Sequence, residues 1–251
     1  MTYKEAHSTF VLNTRPSTQA KSLTTELEKN GFHVIEQPTL EIKATRDFQQ
    51  IKQAIARLST STTAVFISQH AVRAVSPYWL KDKSATLVAI GPSTQEAISK
   101  YLGEHGIMPA SYSTEGLADM PVMSCLHKRQ VIIFGSNHIN HQLNTTLQQR
   151  AERVEHVVTY VTTPVEIDSL ASLDHLKSKN LQVLIATSQA SLKQLHKWYY
   201  PYDSAWLLSR DLLVISEKIH ELALKLGWKK SRLLMSKNAT TAAIVKTIRS
   251  C

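Results

Sequence analysis

At 251 residues, with hydrophobic residues at 43% and charged ones at 20%, the chain has an ordinary globular composition and can bury one large core or two small ones. No run approaches the roughly 18 apolar residues of a membrane span, the opening MTYKEAHSTF lacks the pattern of a secretory signal, and the two cysteines, Cys125 and Cys251, have no metal-ligand spacing. A cytoplasmic protein without a disulfide is expected, and 29 Lys+Arg against 20 Asp+Glu, a net charge of +9, favours anionic partners. The basic residues are scattered, with only pairs at Lys128-Arg129 and Lys229-Lys230. That leaves a solvated basic surface or a small polyanionic substrate ahead of nucleic acid or a membrane.

Phe10-Val11-Leu12 reads as a buried strand entering the loop Asn13-Thr14-Arg15-Pro16. Pro16 suits a first helical turn, Ala20, Leu23 and Leu27 recur at helical spacing, and Asn30-Gly31 is a left-handed stop before a strand at Val34-Ile35. Gln37-Pro38 and TLEI form a connector; a helix over 47–58 turns Phe48, Ile51 and Ile55 inward. The strand Ala64–Ile67 ends at Ser68, before a helix with Ala71, Val72 and Val75 inward. Leu87–Ile90 closes on Gly91-Pro92-Ser93-Thr94 and a helix through Leu102, and Ser113–Leu117 opens a shorter one. Val131–Phe134 is a strand stopping at Gly135-Ser136, with a helix carrying Ile139, Leu143 and Leu147, and Val157-Val158 begins the next strand. Val183–Ala186, Leu212–Ile215 and Leu233–Met235 are further strands, followed by helices after Ser188, after Ser216 and from Ala239-Thr240-Thr241. Such alternation predicts parallel sheets covered on both faces.

The units repeat. Val11 aligns with Val131, Ser68 with Ser188, Gly91 with Ser216 and Thr114 with Thr240, at offsets of 120, 120, 125 and 126 residues. Four matches in order point to an internal duplication, although strand–helix proteins match themselves to some degree. The first unit needs the strands after Val183, while residues 64–160 hold a set of their own. A discontinuous domain of residues 1–37 with 166–251 is therefore expected, with a second domain over 43–160 and a two-stranded ladder of 38–42 and 161–165 linking them.

The sequence contains no GxGxxG, Walker A, GxSxG or HExxH motif. His138 and His141, three apart on an expected helix, are surface residues or, less simply, metal ligands. What recurs is a hydroxyl or glycine where a strand hands over to a helix: Thr14, Ser68, Gly91 to Thr94, Thr114, Ser136, Ser188, Ser216 and Thr240-Thr241. Each is explained by helix capping alone. Together they place helix N-termini along the carboxyl edges of the sheets, where open α/β sheets bind ligands and anions are held by N–H groups.

The opening VLNTRP with its GF.VIE.P.LEI continuation, then FISQHAVRA, VAIGPSTQEA, EGL, Tyr160 in VVTYVTTP and the closing ATTAAI, together resemble the uroporphyrinogen-III synthase family over nearly the whole chain. The resemblance implies two flavodoxin-like α/β domains joined by a β-ladder with the active site in a cleft between them. It also implies the reaction: cyclisation of the linear tetrapyrrole hydroxymethylbilane with inversion of ring D and loss of water, in heme biosynthesis, with no cofactor and no metal. By the same resemblance Tyr160 is the catalytic candidate, assisting departure of the ring-A hydroxyl, though a strand-end tyrosine can equally be structural. Arg15, Ser68, Thr94, Ser188, Thr240 and Thr241 match substrate-binding positions and would hold carboxylates. Ser216 and Gly135-Ser136 depart from the family pattern. A monomer, with possible hand-over of substrate from hydroxymethylbilane synthase, is implied. The rival expectation is a non-catalytic two-domain binding protein for an anionic ligand, whose site chemistry would look the same.

Overall fold

The structure, a computed structural model, describes residues 9–80, 84–138 and 140–250; expectations resting on residues 1–8, Ile139 and Cys251 lie outside the described residues. β1 (Phe10–Asn13) leads into α1 (Ser17–Lys29) and β2 (His33–Glu36). β3 (Leu40–Ala44), α2 (Phe48–Ala56), β4 (Thr62–Phe66) and α3 (Gln69–Val75) follow. Next come β5 (Thr86–Ala89), α4 (Pro92–Ala97), α5 (Thr114–Ala118) and α6 (Pro121–Ser124). β6 (Gln130–Ser136), α7 (His141–Arg150) and β7 (Arg153–Pro164) precede α8 (Ser169–Ser178) and β8 (Leu181–Ala186). The remainder is α9 (Gln189–Ser209), β9 (Asp211–Val214), α10 (Glu217–Lys225), β10 (Leu233–Met235) and α11 (Thr241–Arg249).

The strands form two five-stranded sheets, ordered β10-β9-β8-β1-β2 and β3-β7-β6-β4-β5. Within the first sheet all neighbours pair in parallel, and so do β7, β6, β4 and β5 in the second. Read by position in the chain, the first sheet has the flavodoxin-like order 2-1-3-4-5. The duplicated segments hold equivalent places: β6 matches β1, β4 matches β8 and β5 matches β9. A parallel bridge between Val88 and Ile107 stands beyond β5 where β10 stands beyond β9. β3 is the exception in direction: the Thr45 N–H donates to the Thr159 carbonyl at 3.3 Å and the Val165 N–H to the Thr39 carbonyl at 3.0 Å, so β3 runs antiparallel to β7. By compactness the chain divides into residues up to Ile42 with those from Thr163 onward, and Lys43–Thr162.

Each sheet is apolar on both faces, as a parallel sheet covered by helices must be. In the first, Leu12, Leu184, Leu212 and Val214 face a core with Leu192, Leu195 and Trp198 of α9. Their sequence neighbours Val11, Val183, Ile185 and Leu213 face the opposite core with Leu23 and Leu27 of α1 and Ile244 of α11. In the second sheet Phe66 and Phe134 stack at 5.0 Å and are fully buried, with Ile51 and Ile55 of α2 in the same core. Val65, Val131 and Ile133 turn the other way, onto Leu143 and Leu147 of α7. Fully burying one such side chain contributes about 1.5–3 kcal/mol. The stop expected for α1 holds, with Gly31 at φ 85°.

Several elements differ from expectation. Phe48, the first residue of α2, is 45% exposed, its ring 6.2 Å from that of Tyr78, while Ile51 and Ile55 are buried. β6 does not stop at Gly135-Ser136 but runs through them, since β7 starts early, at Arg153, and offers ladder partners up to Tyr160 opposite Ser136. The Thr159 hydroxyl also donates to the Gly135 carbonyl at 2.9 Å. His138 therefore lies in the loop before α7 and does not share a helix with His141. Helices α6 and α8, unread in the sequence, bury Met123, and Leu173 with Leu176.

Tyr199 of α9 is fully buried, and its hydroxyl lies 2.8 Å from Ser172 Oγ and donates to Gln37 Oε1 at 3.0 Å. Burial raises its pKa to about 12, against a lesser opposite pull from the bonds to Ser172 and Gln37. The folded state thus keeps the phenol proton after the unfolded chain has lost it near pH 10. This stabilisation is fully present below pH 10 and is lost as pH rises toward 12. Urea titrations of wild type and Tyr199→Phe across pH 9 to 12 should show the wild type losing stability more steeply, by roughly 1 kcal/mol per pH unit; parallel curves would disprove it.

Candidate functional site

In the first unit the carboxyl edge of the sheet is built around Thr14, Arg15 and the helices that follow each strand. Thr14, buried, donates its hydroxyl to the Ile185 carbonyl and lies 2.8 Å from Ser191 Oγ, which lies 2.7 Å from Thr39 Oγ1. These three buried hydroxyls tie the loop after β1, the first turn of α9 and the chain leaving β2. Thr14 is thus an internal tie and caps no helix. Ser188 does cap α9, its Oγ accepting from the Ser191 N–H at 3.0 Å. Thr240 caps α11, accepting from the Ala243 N–H at 3.3 Å while donating to Asn238 Oδ1 at 2.6 Å. Thr241 is the first residue of α11 and is half-buried.

Arg15 is not an open binding residue, being only 8% exposed. Its Nη2 donates to the carbonyl of Ala239 in the loop entering α11. Its Nε is buried with no hydrogen-bond partner, and no described carboxylate pairs with the guanidinium. Burial lowers its pKa. A buried cation without a counter-ion is costly unless an anion arrives to meet it.

Two helix N-termini at this edge lack a side-chain cap. α1 begins after Pro16, which offers no side-chain acceptor, and its first turn carries no acidic residue. Ser17 and Thr18 are exposed there and line, with Pro38, Glu41 and Val165, a pocket of about 410 Å³. α10 begins after Ser216, whose side chain makes no capping bond, so the hydroxyl expected to cap there does not. Uncapped N–H groups at a helix N-terminus favour an anion.

In the second unit Ser68 caps α3, accepting from the Ala71 N–H at 3.3 Å. Gly91 precedes α4 with no side chain to cap it, and Thr94, in its first turn, is 2% exposed while Ser93 is exposed. Tyr160 of β7 is half-buried against the core that contains Phe66 and Phe134. Its ring centroid lies 5.6 Å from that of His70, the planes at 54°. Burial, with a smaller contribution from the charge of Arg73, lowers the pKa of His70 and favours the neutral imidazole beside the tyrosine. The Tyr160 hydroxyl makes no hydrogen bond to a described residue.

The structure therefore brings Arg15, Ser188, Thr240 and Thr241 to one carboxyl edge and Ser68, Thr94 and Tyr160 to the other, with Arg15 and Thr94 buried rather than open. Ser136 is not a cap, because α7 starts later and is capped by Asn140, whose Oδ1 accepts from the Leu143 N–H at 2.9 Å. Thr114 is displaced by its neighbour Ser113, which accepts from the Gly116 N–H at 3.0 Å. Both caps are a polar residue three before a helical N–H; the sequence expectation opens the short helix at Ser113 but names Thr114 as its hydroxyl, and begins the helix that carries Leu143 too early. Among the described residues no group of three His, Cys, Asp or Glu is arranged to hold a metal ion, and no helix is long and apolar enough to cross a membrane. What the edges offer is N–H and hydroxyl donors for carboxylates, one buried guanidinium, and a tyrosine hydroxyl.

Comparison with known proteins agrees with this chemistry. Residues 21–246 match the family model described as uroporphyrinogen-III synthase HemD. A curated protein of that name from Escherichia coli (strain K12) is 25% identical over 249 residues, covering 95% of this chain and 99% of the relative. Among solved structures, a mutant uroporphyrinogen III synthase from the extremely thermophilic bacterium Thermus thermophilus superposes with a TM-score of 0.68 at 14% identity, covering 96% of this chain and 98% of that one. Uroporphyrinogen-III synthetase from Helicobacter pylori 26695 does so with a TM-score of 0.59 at 12% identity, covering 95% and 96%. At these identities the solved structures establish the shared α/β fold.

Proposed function

The chain belongs to the uroporphyrinogen-III synthase family, and from that premise we propose that it cyclises hydroxymethylbilane to uroporphyrinogen III, with inversion of ring D and loss of water. The observation that carries this is the family match over residues 21–246, which includes Ser68, Thr94, Tyr160, Ser188, Thr240 and Thr241, while Arg15 and the N-terminus of α1 precede it. The carboxyl-edge chemistry supports it independently. Each pyrrole of the substrate bears an acetate and a propionate, and the edges supply uncapped helix N-termini at α1 and α10 with hydroxyls beside them.

Ser188, Thr240, Thr241 and Arg15 hold carboxylates in the first unit, Ser68 does so in the second, and Thr94, being buried, supports the turn that exposes Ser93. Tyr160 is the catalytic group: its hydroxyl gives a proton to the hydroxyl leaving ring A, which departs as water as the C–O bond breaks, and loss of the ring-A N–H proton, which restores the phenol, leaves an azafulvene. The substituted carbon of ring D then attacks, giving a spiro intermediate whose fragmentation and closure invert that ring. Most of the acceleration comes from holding the two ends in reacting geometry. The domains of this reading are residues 1–37 with 166–251, and 43–160, linked through 38–42 and 161–165. They are supported by compact units whose boundaries fall at 42/43 and 162/163. The protein works as a cytoplasmic monomer that takes its unstable substrate from hydroxymethylbilane synthase.

The test is to supply hydroxymethylbilane, oxidise the products and resolve the isomers. Isomer III above the spontaneous isomer I background is expected, at the same rate with and without EDTA. Isomer I alone would end the proposal, and a loss with EDTA that added metal restores would reveal a metal requirement.

A further inference from the structure

Tyr112 was not among the residues singled out by motif, yet its placement is unusual. It is 60% exposed, and the turn that carries it is held on both flanks. The Ser113 N–H donates to the Ser111 carbonyl at 2.8 Å, and Ser113 Oγ caps α5 through the Gly116 N–H. A Cβ at Gly116 would lie 2.1 Å from the Ser111 carbonyl oxygen, so the turn has closed to a distance only glycine allows. Asn140 adds a tie from outside, donating Nδ2 to Thr114 Oγ1 at 3.1 Å. The backbone that carries this exposed aromatic is therefore fixed before any ligand arrives.

Its seat is equally specific. A Cβ at Gly91 would lie 3.3 Å from Tyr112 Cβ, 3.5 Å from Cγ and 3.8 Å from Cδ1. Gly91 has φ −178°, a conformation open to any residue, so its backbone does not call for glycine. The approach of the tyrosine accounts for it. Gly91 stands where β5 hands over to α4, beside the strand that ends toward Ser68. One side of Tyr112 is thus packed on backbone at the carboxyl edge of the second sheet, and the rest is open to solvent.

We propose that Tyr112 is a substrate-contacting residue, its ring a preformed platform on which one pyrrole ring of the linear tetrapyrrole packs. Pyrroles are flat and electron-rich, and an aromatic ring held in place binds such a surface by offset or edge-on packing at little entropic cost. This rests on the proposed function and adds to it a contact with a ring face, where the helix N-termini and hydroxyls contact only carboxylates.

Steady-state kinetics on hydroxymethylbilane with the isomers resolved tests it in three variants. Tyr112→Ala should raise KM about 3- to 10-fold with kcat within about twofold of wild type. Tyr112→Phe, which keeps the ring, should match wild type. Gly91→Ala, whose Cβ at 3.3 Å from Tyr112 Cβ crowds the intact tyrosine and makes it shift slightly, should raise KM in the same direction by a smaller factor. If Tyr112→Ala leaves KM unchanged in an enzyme that makes isomer III, the platform is disproved and the enzyme assignment stands. If Tyr112→Phe falls as far as Tyr112→Ala, the hydroxyl is the contact and the stacking proposal fails. A wild type making no isomer III would overturn the function and the platform together.

Discussion

Tyr160→Phe is expected to lower kcat by roughly 100-fold, the lower end of what a positioned proton donor supplies, while leaving stability and KM almost unchanged. The stability half follows from the structure: the hydroxyl has no described hydrogen-bond partner, and the ring packs against the second unit's core through atoms that phenylalanine retains. Removing an unpartnered hydroxyl should shift unfolding by no more than about 0.5 kcal/mol. The KM half follows from the many donors that share the carboxylates, none of which the substitution touches. The kcat half follows from chemistry: the ring-A hydroxyl departs more readily when a donor gives it a proton, and the neighbouring His70 has its pKa lowered by burial. Single-turnover rates on hydroxymethylbilane and a thermal melt of the same preparation decide it. Full turnover from a folded Tyr160→Phe enzyme would leave the tyrosine a packing residue and the site one that works by orientation.

Arg15→Met should separate stability from binding in opposite directions. The native guanidinium is buried, donates one bond to the Ala239 carbonyl and has an Nε with nothing to meet. Methionine keeps much of the stem and removes the stranded charge, so the free protein should melt at the same temperature or higher. The substrate of the proposed reaction, however, would lose a buried cation that its carboxylates could satisfy, and charge-assisted bonds are worth about 1.5–3 kcal/mol. KM should therefore rise by about 10- to 100-fold, and the upward shift in melting temperature that a polycarboxylate porphyrin produces in wild type should shrink. A lower melting temperature with KM unchanged would instead make Arg15 only a strut for the loop entering α11. Arg15→Lys should fall between, since an ammonium cannot reach Ala239 and a carboxylate with the same fork geometry.

Much of this protein was determined locally and is visible in its residues. Apolar runs such as Val183–Ala186 become strands buried on both faces, the spacing of Ala20, Leu23 and Leu27 becomes the inner face of α1, and Ser68, Ser188 and Thr240 cap the helices they precede. These depend on neighbours within a turn or two of chain, so the sequence by itself determined them, along with the duplicated strand–helix order. Which carboxyl-edge groups remain open was decided by tertiary structure. Arg15 is occupied by Ala239, 224 residues away, and Thr14 by Ile185 and Ser191. β6 runs on through Gly135-Ser136 because β7 lies beside it to Tyr160, and Tyr112 finds its seat on Gly91 from a separate loop. Hydrogen-bond and packing partners brought together by the fold have no signature in local periodicity, because burial there depends on what lies across the sheet edge and not on the residue's own neighbours.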